Sequence, residues 1–422
     1  MYKKIVLDNG VRVVLERMSS LRSVALGVWA TVGSRYEGKG EEGLSHFIEH
    51  MMFKGTKKRS SVQISHEIDA LGGEMNAFTT HESTAYYVKV LDQQVGAAFD
   101  LLADLFHHSR FKTTDIEKEK QVVLEEIRTV QDDPEDYIHE LHAKDVLGPH
   151  PIGRPILGAS RSLRQMGRDI LLRYKQKHYR PENTIVAVAG NFSFPQLLEE
   201  INQYFGQWQA NSSNGLSGEI GNDCWPSHPA TRHSFHTKPL EQVHLCIGFK
   251  GLPVQHPDRY AAYVVNTMLG GGVSSRLFQE IREKQGLAYT IYSHLSSFLD
   301  GGTLTVYAAT RPSEVEGVID RVCKETNKLC RRGVAMKELE RTKTQLKGNL
   351  MLGLEGTYGR MNKLAKDELY QGRHVTLQEI VKAIDKISSD QILRVSQKLL
   401  DQKEFVVTAL GPIPKNMAAK WG

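Results

Sequence analysis

Apolar positions along the chain change period repeatedly, and each change marks an element. Residues 4–16 alternate on either side of Asp8-Asn9-Gly10, the signature of a tight hairpin. Residues 24–32 form an almost unbroken apolar run closed by Gly33 and read as a strand. From residue 44 to about 53 the spacing becomes helical, and Gly55 ends it. A second helix pattern, 61–71, stops at Gly72-Gly73, as helices often do. Two strand-like runs follow, 75–80 and 84–91. Val95, Phe99, Leu102 and Phe106 then recur at helical spacing. Thr114 and Glu117 have capping-box spacing and predict a helix from 115 to about 130. Residues 134–160, rich in Pro, Gly and His, read as a helix followed by an ordered loop. A helix over 162–179 leads to a buried strand at 183–190, and another helix covers 194–205.

Residues 207–235 lose this periodicity; Gln, Asn, Ser, Gly and Pro dominate, and the stretch reads as a linker. The order of elements then repeats. Residues 243–249 correspond to the strand at 24–32, 257–269 to the first helix, 302–308 to the strand at 84–91, and 405–411 to 184–190. Gly286-Leu287-Ala288-Tyr289 follows a helix, as Gly72-Gly73 does. Ser313 and Glu316 again have capping-box spacing, ahead of a stripe of Val315, Ile319, Val322 and Leu329. The pattern predicts a module at 1–206, a linker at 207–235 and a second module at 236–422. The fold class is α+β: two homologous α/β sandwich modules, each a mostly antiparallel sheet covered by helices.

Composition narrows the partners. The net charge of +5 over 422 residues is small and no Lys/Arg block stands out, so a nucleic-acid partner is not suggested. No apolar run is long enough to span a membrane, and Met1-Tyr2-Lys3-Lys4-Ile5 enters a strand pattern without the apolar core of a signal peptide. The four cysteines form no C-x-x-C pair, and Cys323 and Cys330 read as small core residues, which suits a reducing compartment. A cytoplasmic address is expected.

The candidate chemistry lies in His46-Phe47-Ile48-Glu49-His50. On a helix, positions i, i+3 and i+4 share a face, so His46, Glu49 and His50 stand together. Two imidazoles one turn apart can reach one metal ion, and the carboxylate can reach a water on it; this is the H-x-x-E-H form of the zinc-hydrolase helix. Two histidines beside a solvated glutamate would give the same five residues. The helix at 115–130 carries the candidate for a third ligand. Glu125 shares its face with Lys118, Gln121 and Arg128, a solvated face. Glu126 shares its face with Val122, Val123 and Val130, an apolar one, and Glu119 lies one heptad earlier on that side. A carboxylate on a buried face is costly unless paired or bound to metal. Glu126 is therefore the expected buried carboxylate, through metal or salt bridge, and Glu119 its companion. His139, His142 and His150 are rival ligands, but their spacing points to structural or surface roles. The second module carries no H-x-x-E-H.

Gly43-Leu44-Ser45-His46-Phe47-Ile48-Glu49-His50-Met51-Met52-Phe53-Lys54-Gly55-Thr56 resembles the metal stretch of the inverted-zinc-motif metallopeptidases that include pitrilysin, insulin-degrading enzyme and the mitochondrial processing peptidase. The likeness covers essentially the whole chain, and its two-module length is that of the bacterial processing-peptidase-like members. It implies a third zinc ligand at Glu126 and an acidic companion at Glu119. Gly73-Glu74-Met75-Asn76-Ala77-Phe78-Thr79 resembles the edge strand that pairs with substrate, with Asn76, Ala77, Phe78 and Thr79 as the contacts. Gly270-Gly271-Gly272-Val273-Ser274-Ser275-Arg276-Leu277-Phe278 resembles the glycine-rich segment of the second module, and Arg282 and Tyr289 match the arginine and tyrosine that contact the substrate carbonyl.

The resemblance implies a zinc endopeptidase with one Zn²⁺ per chain, held by His46, His50 and Glu126, with Glu49 as general base. Peptides are the expected substrates. Because two modules make half of the family's four-module clamshell, a homodimer whose active sites are shared between chains is also expected. Two other readings stand beside it: a non-catalytic assembly subunit of a larger complex, and a structural zinc site, which would need a fourth protein ligand.

Overall fold

Asp8-Asn9-Gly10 turns the chain back on itself. Strands β1 (Tyr2–Val6) and β2 (Arg12–Arg17) pair antiparallel across it, with Gly10 at φ +96°. The structure, a computed structural model, describes residues 1–209, 225–230, 232–400, 405–413 and 417. β3 (Ser23–Ala30), β4 (Glu74–Thr79), β5 (Thr84–Leu91) and β6 (Thr184–Gly190) complete a sheet in the order β1-β2-β6-β3-β5-β4. The β2–β6 pairing is parallel and the others antiparallel. β4 is an edge strand.

Five helices fall in the first part of the chain: α1 (Leu44–Met52), α2 (Ser61–Ala70), α3 (Val95–His108), α4 (Thr113–Asp132) and α5 (Pro134–Leu147). One face of the sheet packs Leu26, Val28 and Tyr86 against Phe47 and Met51 of α1, Phe99 and Leu102 of α3, and Val123 of α4. The opposite face carries Val14, Ala25, Trp29, Ala85, Ile185 and Ala187. It is covered by Met361, Leu364 and Ala365 on a helix from far down the chain, Thr357–Gln371. Gly27 leaves room for the Trp29 ring, whose Cζ3 would lie 2.4 Å from a Cβ there, with Met361 Sδ next to it at 3.1 Å.

The second sheet repeats the arrangement. β7 (His233–Thr237), β8 (Val243–Lys250), β9 (Ala288–Ser297), β10 (Gly302–Thr310) and β11 (Val406–Gly411) lie in the order β7-β11-β8-β10-β9, with β7–β11 parallel. β11, β8, β10 and β9 occupy the places of β6, β3, β5 and β4. One face is packed by helices Arg259–Gly270, Val315–Arg332 and Ser389–Leu399. The other is covered by α5, whose Ile138 meets Cys246, Tyr307 and Leu410.

The compact units therefore cross the boundary expected between 1–206 and 236–422. The first takes Met1–Thr129, Arg154–Asp223 and Gly353–His374; the second takes Val130–Gly153, Cys224–Leu352 and Val375–Gly422. Each sheet has two apolar faces, and the helix that covers the second one is supplied by the other half of the chain. Residues 210–224 and 231 of the stretch read as a linker lie outside the described residues, and β7 begins inside its C-terminal end.

Three local expectations change. α4 starts at Thr113, so Thr114 sits within its first turn rather than at its cap. The helix Val315–Arg332 follows a short 3-10 turn at Pro312–Glu314 and has no side-chain cap. The helix expected over 162–179 is two, Ser160–Gln165 and Arg168–His178, because Met166 and Gly167 are extended. No helix among the described residues is long and apolar enough to cross a membrane.

Candidate metal centre

α1 turns Leu44, Phe47, Ile48, Met51 and Met52 into the core. That leaves His46, Glu49 and His50 on the opposite face. The helix opens at Gly43, whose φ of +95° favours glycine. The cap comes from Glu37, which accepts from the Gly43 N–H at 2.8 Å and the Ser45 N–H at 2.7 Å. These are donors that a helix start leaves without partners.

α4 brings its carboxylates alongside. Glu125 points away and pairs with exposed Arg128 at 2.8 Å, as the face argument requires. The burial of the other two differs from expectation. Glu119 is the buried one, whereas the Glu126 side chain remains 39% exposed and Val122 is exposed too. Seven residues fall about 20° short of two turns. Glu126 is thus rotated from Glu119 toward Val122 and sits at the rim, open to solvent.

The three expected ligands meet. Glu126 Oε2 lies 3.5 Å from His50 Nε2 and 3.8 Å from His46 Nε2, and one ligand-capable atom from each residue falls within 4.8 Å of the others. Burial, reinforced by neighbouring His50, pushes the His46 imidazole down to about 3. The ring is neutral at ordinary pH, so its approach to Glu126 is not an ion pair. His50 Nδ1 faces Glu119 Oε2 at 3.1 Å, and the other oxygen of that carboxylate is held by Lys54 at 2.8 Å. In the neutral ring this leaves the lone pair on Nε2, aimed at Glu126. Three ligand-capable atoms thus face one point, an arrangement that suits a cation. Two imidazole nitrogens and a carboxylate oxygen are a donor set zinc accepts.

Glu49 stands beside this cluster. Burial raises its carboxyl, nearby Glu126 adds to the rise, and Thr79 and His50 oppose it. Thr79 Oγ1 donates to Glu49 Oε2 at 2.5 Å. Thr79 ends the edge strand β4, which also carries Asn76, Ala77 and Phe78. The Asn76 side chain accepts from the Ala77 N–H at 2.8 Å, and Phe78 packs near Tyr87.

Arg282 and Tyr289 belong to the second unit, apart from the unit that holds the metal cluster. They are brought to each other: the Arg282 guanidinium lies 4.8 Å from the Tyr289 ring and 4.8 Å from the Phe278 ring. Tyr289 is 74% exposed, which excludes a core tyrosine. The rival histidines form no second centre among the described residues. His142 is buried with Nδ1 at 2.9 Å from Thr408 Oγ1, and His139 Nε2 contacts the Tyr292 hydroxyl.

Sequence reasoning missed Glu37, Lys54, Thr79 as a partner of Glu49, and Phe278. Lys54 was within reach, since it follows His50 by four, just past the end of α1. Phe278 likewise precedes Arg282 by four. Glu37 and Thr79 act across the fold, and no local pattern announces them.

Residues 12–160 match the family described as Insulinase (Peptidase family M16), and residues 165–346 match the Peptidase M16 inactive domain. The protein named Uncharacterized zinc protease YmxG, from Bacillus subtilis (strain 168), is 40% identical over 98% of this chain and 98% of its own. An uncharacterized zinc protease of Streptomyces coelicolor is 37% identical over 99% of this chain and 91% of its own. In fold, the chain is similar to a protease from Helicobacter pylori, with a TM-score of 0.91 at 22% identity, covering 98% of this chain and 99% of that one. A peptidase M16 inactive domain from Pseudomonas fluorescens gives a TM-score of 0.88 at 20% identity, covering 98% of each chain. With both family models matched in succession along it and a relative 40% identical over nearly its whole length, the chain belongs to the insulinase family of peptidases, family M16.

Proposed function

We propose that the chain is a zinc-dependent endopeptidase acting on short or unfolded peptides. One observation carries the reading: His46, His50 and Glu126 converge on a single point, with Glu49 beside it. The relatives named zinc proteases support it. Zinc supplies Lewis acidity, which polarises a carbonyl and makes a water acidic enough to be a nucleophile at neutral pH. Glu49 takes the proton of the attacking water and passes it to the departing amine. A carboxyl raised by burial suits that double task. An extended peptide adds along β4 at Asn76, Ala77, Phe78 and Thr79, where main-chain bonds give affinity with little sequence demand. Arg282 and Tyr289 donate to the carbonyl oxygen as charge develops on it, each worth about 3–4 kcal/mol in the transition state. We further propose a cytoplasmic homodimer with about one zinc per chain, in which each site draws His46, His50, Glu126 and Glu49 from one chain and Arg282 and Tyr289 from the other.

The test is to measure bound zinc and fluorogenic-peptide hydrolysis for wild type and Glu49→Gln. Wild type should hold zinc and cleave; Glu49→Gln should hold zinc and not cleave. Zinc without hydrolysis in wild type would point instead to an assembly subunit or a structural metal.

A further inference from the structure

We infer that Thr79 is a positioning residue for Glu49, so that the side chain of the last residue of β4 sets the alignment of the base. The inference rests on the reading of Glu49 as that base. The Thr79 hydroxyl donates to Glu49 Oε2 at 2.5 Å, the short end of the range for a bond to a charged oxygen. With Oε2 engaged, Oε1 is the oxygen left to accept a proton. A glutamate on a helix face otherwise samples several rotamers, and a base must sit within hydrogen-bond reach of the proton it takes.

The role assigned above to β4 uses its backbone alone. Any strand-forming residue at 79 would serve it, and valine would serve it as well as threonine. The hydroxyl is an addition that backbone pairing does not explain. Among the described residues β4 is bonded on one side only, to β5, with Thr79 opposite Thr84 at its end. A peptide pairing along its free side would order the strand through Thr79, and with it the carboxylate Thr79 holds. Occupancy of the edge and readiness of the base are thereby linked through one hydroxyl.

The test compares Thr79→Val, Thr79→Ser, Glu49→Gln and wild type. Thr79→Val keeps the branched shape and the backbone and removes the donor. Its kcat should fall about 10–100-fold, while KM, zinc content and unfolding midpoint hold. Thr79→Ser should restore most of the loss. Infrared spectra of the metal-free proteins give a readout independent of turnover. The Glu49 carboxylate band, identified as the one missing in Glu49→Gln, should move in Thr79→Val and return in Thr79→Ser. The comparison of Thr79→Ser with Thr79→Ala repeats the test without the branch should Thr79→Val fold poorly. Wild-type kcat in Thr79→Val or Thr79→Ala beside an inactive Glu49→Gln overturns this inference and leaves the base assignment standing. An active Glu49→Gln overturns both.

Discussion

His50 and Glu119 are joined, with Nδ1 of the ring 3.1 Å from a buried carboxylate whose other oxygen is held by Lys54. The contact fixes which ring nitrogen faces Glu126. Glu119→Gln should weaken zinc retention or turnover about 10–100-fold, the usual effect of removing such a support. Glu125→Gln, on the exposed face beside Arg128, should change both little. Zinc titrations of the two variants check this, and equal sensitivity would mean that α4 is rotated from the position described.

Zinc should also stabilise the fold. A ligand present at 100 times its dissociation constant adds about 2.7 kcal/mol to folding. Denaturation with and without zinc should therefore show a large upward shift for wild type and Glu49→Gln. His46→Ala, His50→Ala and Glu126→Ala should show almost none and lose activity. A full shift in Glu126→Ala would remove it from the ligand set.

Shared active sites predict complementation. Glu49→Gln chains and Arg282→Ala/Tyr289→Phe chains should each be inactive alone. Mixed and allowed to exchange, half the dimers would regain one site of two, so activity should return to about a quarter of wild type if pairing is random. No recovery despite demonstrated exchange would show that Arg282 and Tyr289 act within their own chain or not at all.

His107 makes stability depend on acid. Burial lowers its pKa to about 3; Lys175 and His108 add to that and Asp104 opposes it. Phe205 and Trp208 lie against the ring. Between pH 6.5 and 3 the unfolded chain binds a proton that the folded one refuses, so stability falls as pH falls through that window. The loss from pH 7 to pH 5 is about 2 kcal/mol for one such histidine. Urea denaturation of wild type and His107→Phe at the two pH values should show a smaller acid loss in the variant. Equal losses would mean that the ring is already protonated when folded.

The crossed helices forbid separation of the halves. Residues 1–206 expressed alone lack Thr357–Gln371, leaving Val14, Ala25, Trp29, Ile185 and Ala187 exposed on one sheet face. Val14 and Ile185 would each lose about 1.5–3 kcal/mol of burial when fully uncovered, and the alanines less. The fragment should aggregate or bind hydrophobic dyes, and a peptide of the missing helix should suppress this. A monomeric, cooperatively folded fragment would contradict the packing.

Much of this was legible because local patterns carry it. His46, Glu49 and His50 lie within one turn or so, and α4 separates Glu125 from Glu126 by rotation alone. The repeat emerged because β3, β5 and β6 have the same punctuation as β8, β10 and β11. Burial was less legible: the stripe on α4 predicted an inward Glu126, but only the fold shows that Glu119 takes the buried place. The helix Thr357–Gln371 is the clearest failure. Met361, Leu364 and Ala365 mark an apolar stripe, yet a stripe says that a face is covered and not by which sheet. The link from Thr79 to Glu49 joins a strand end to a helix, and periodicity within either element is blind to it.

That covering helix has a consequence for synthesis. The first sheet is complete in strands once β6 leaves the ribosome, but one of its faces stays bare until residues 357–371 emerge. At about 5–20 residues per second the delay is roughly 10–35 s. During that interval Trp29 and its neighbours are open to water and to other nascent chains. The first unit is therefore finished late in translation, and a chaperone that shields the bare face in the meantime would raise the yield of folded protein.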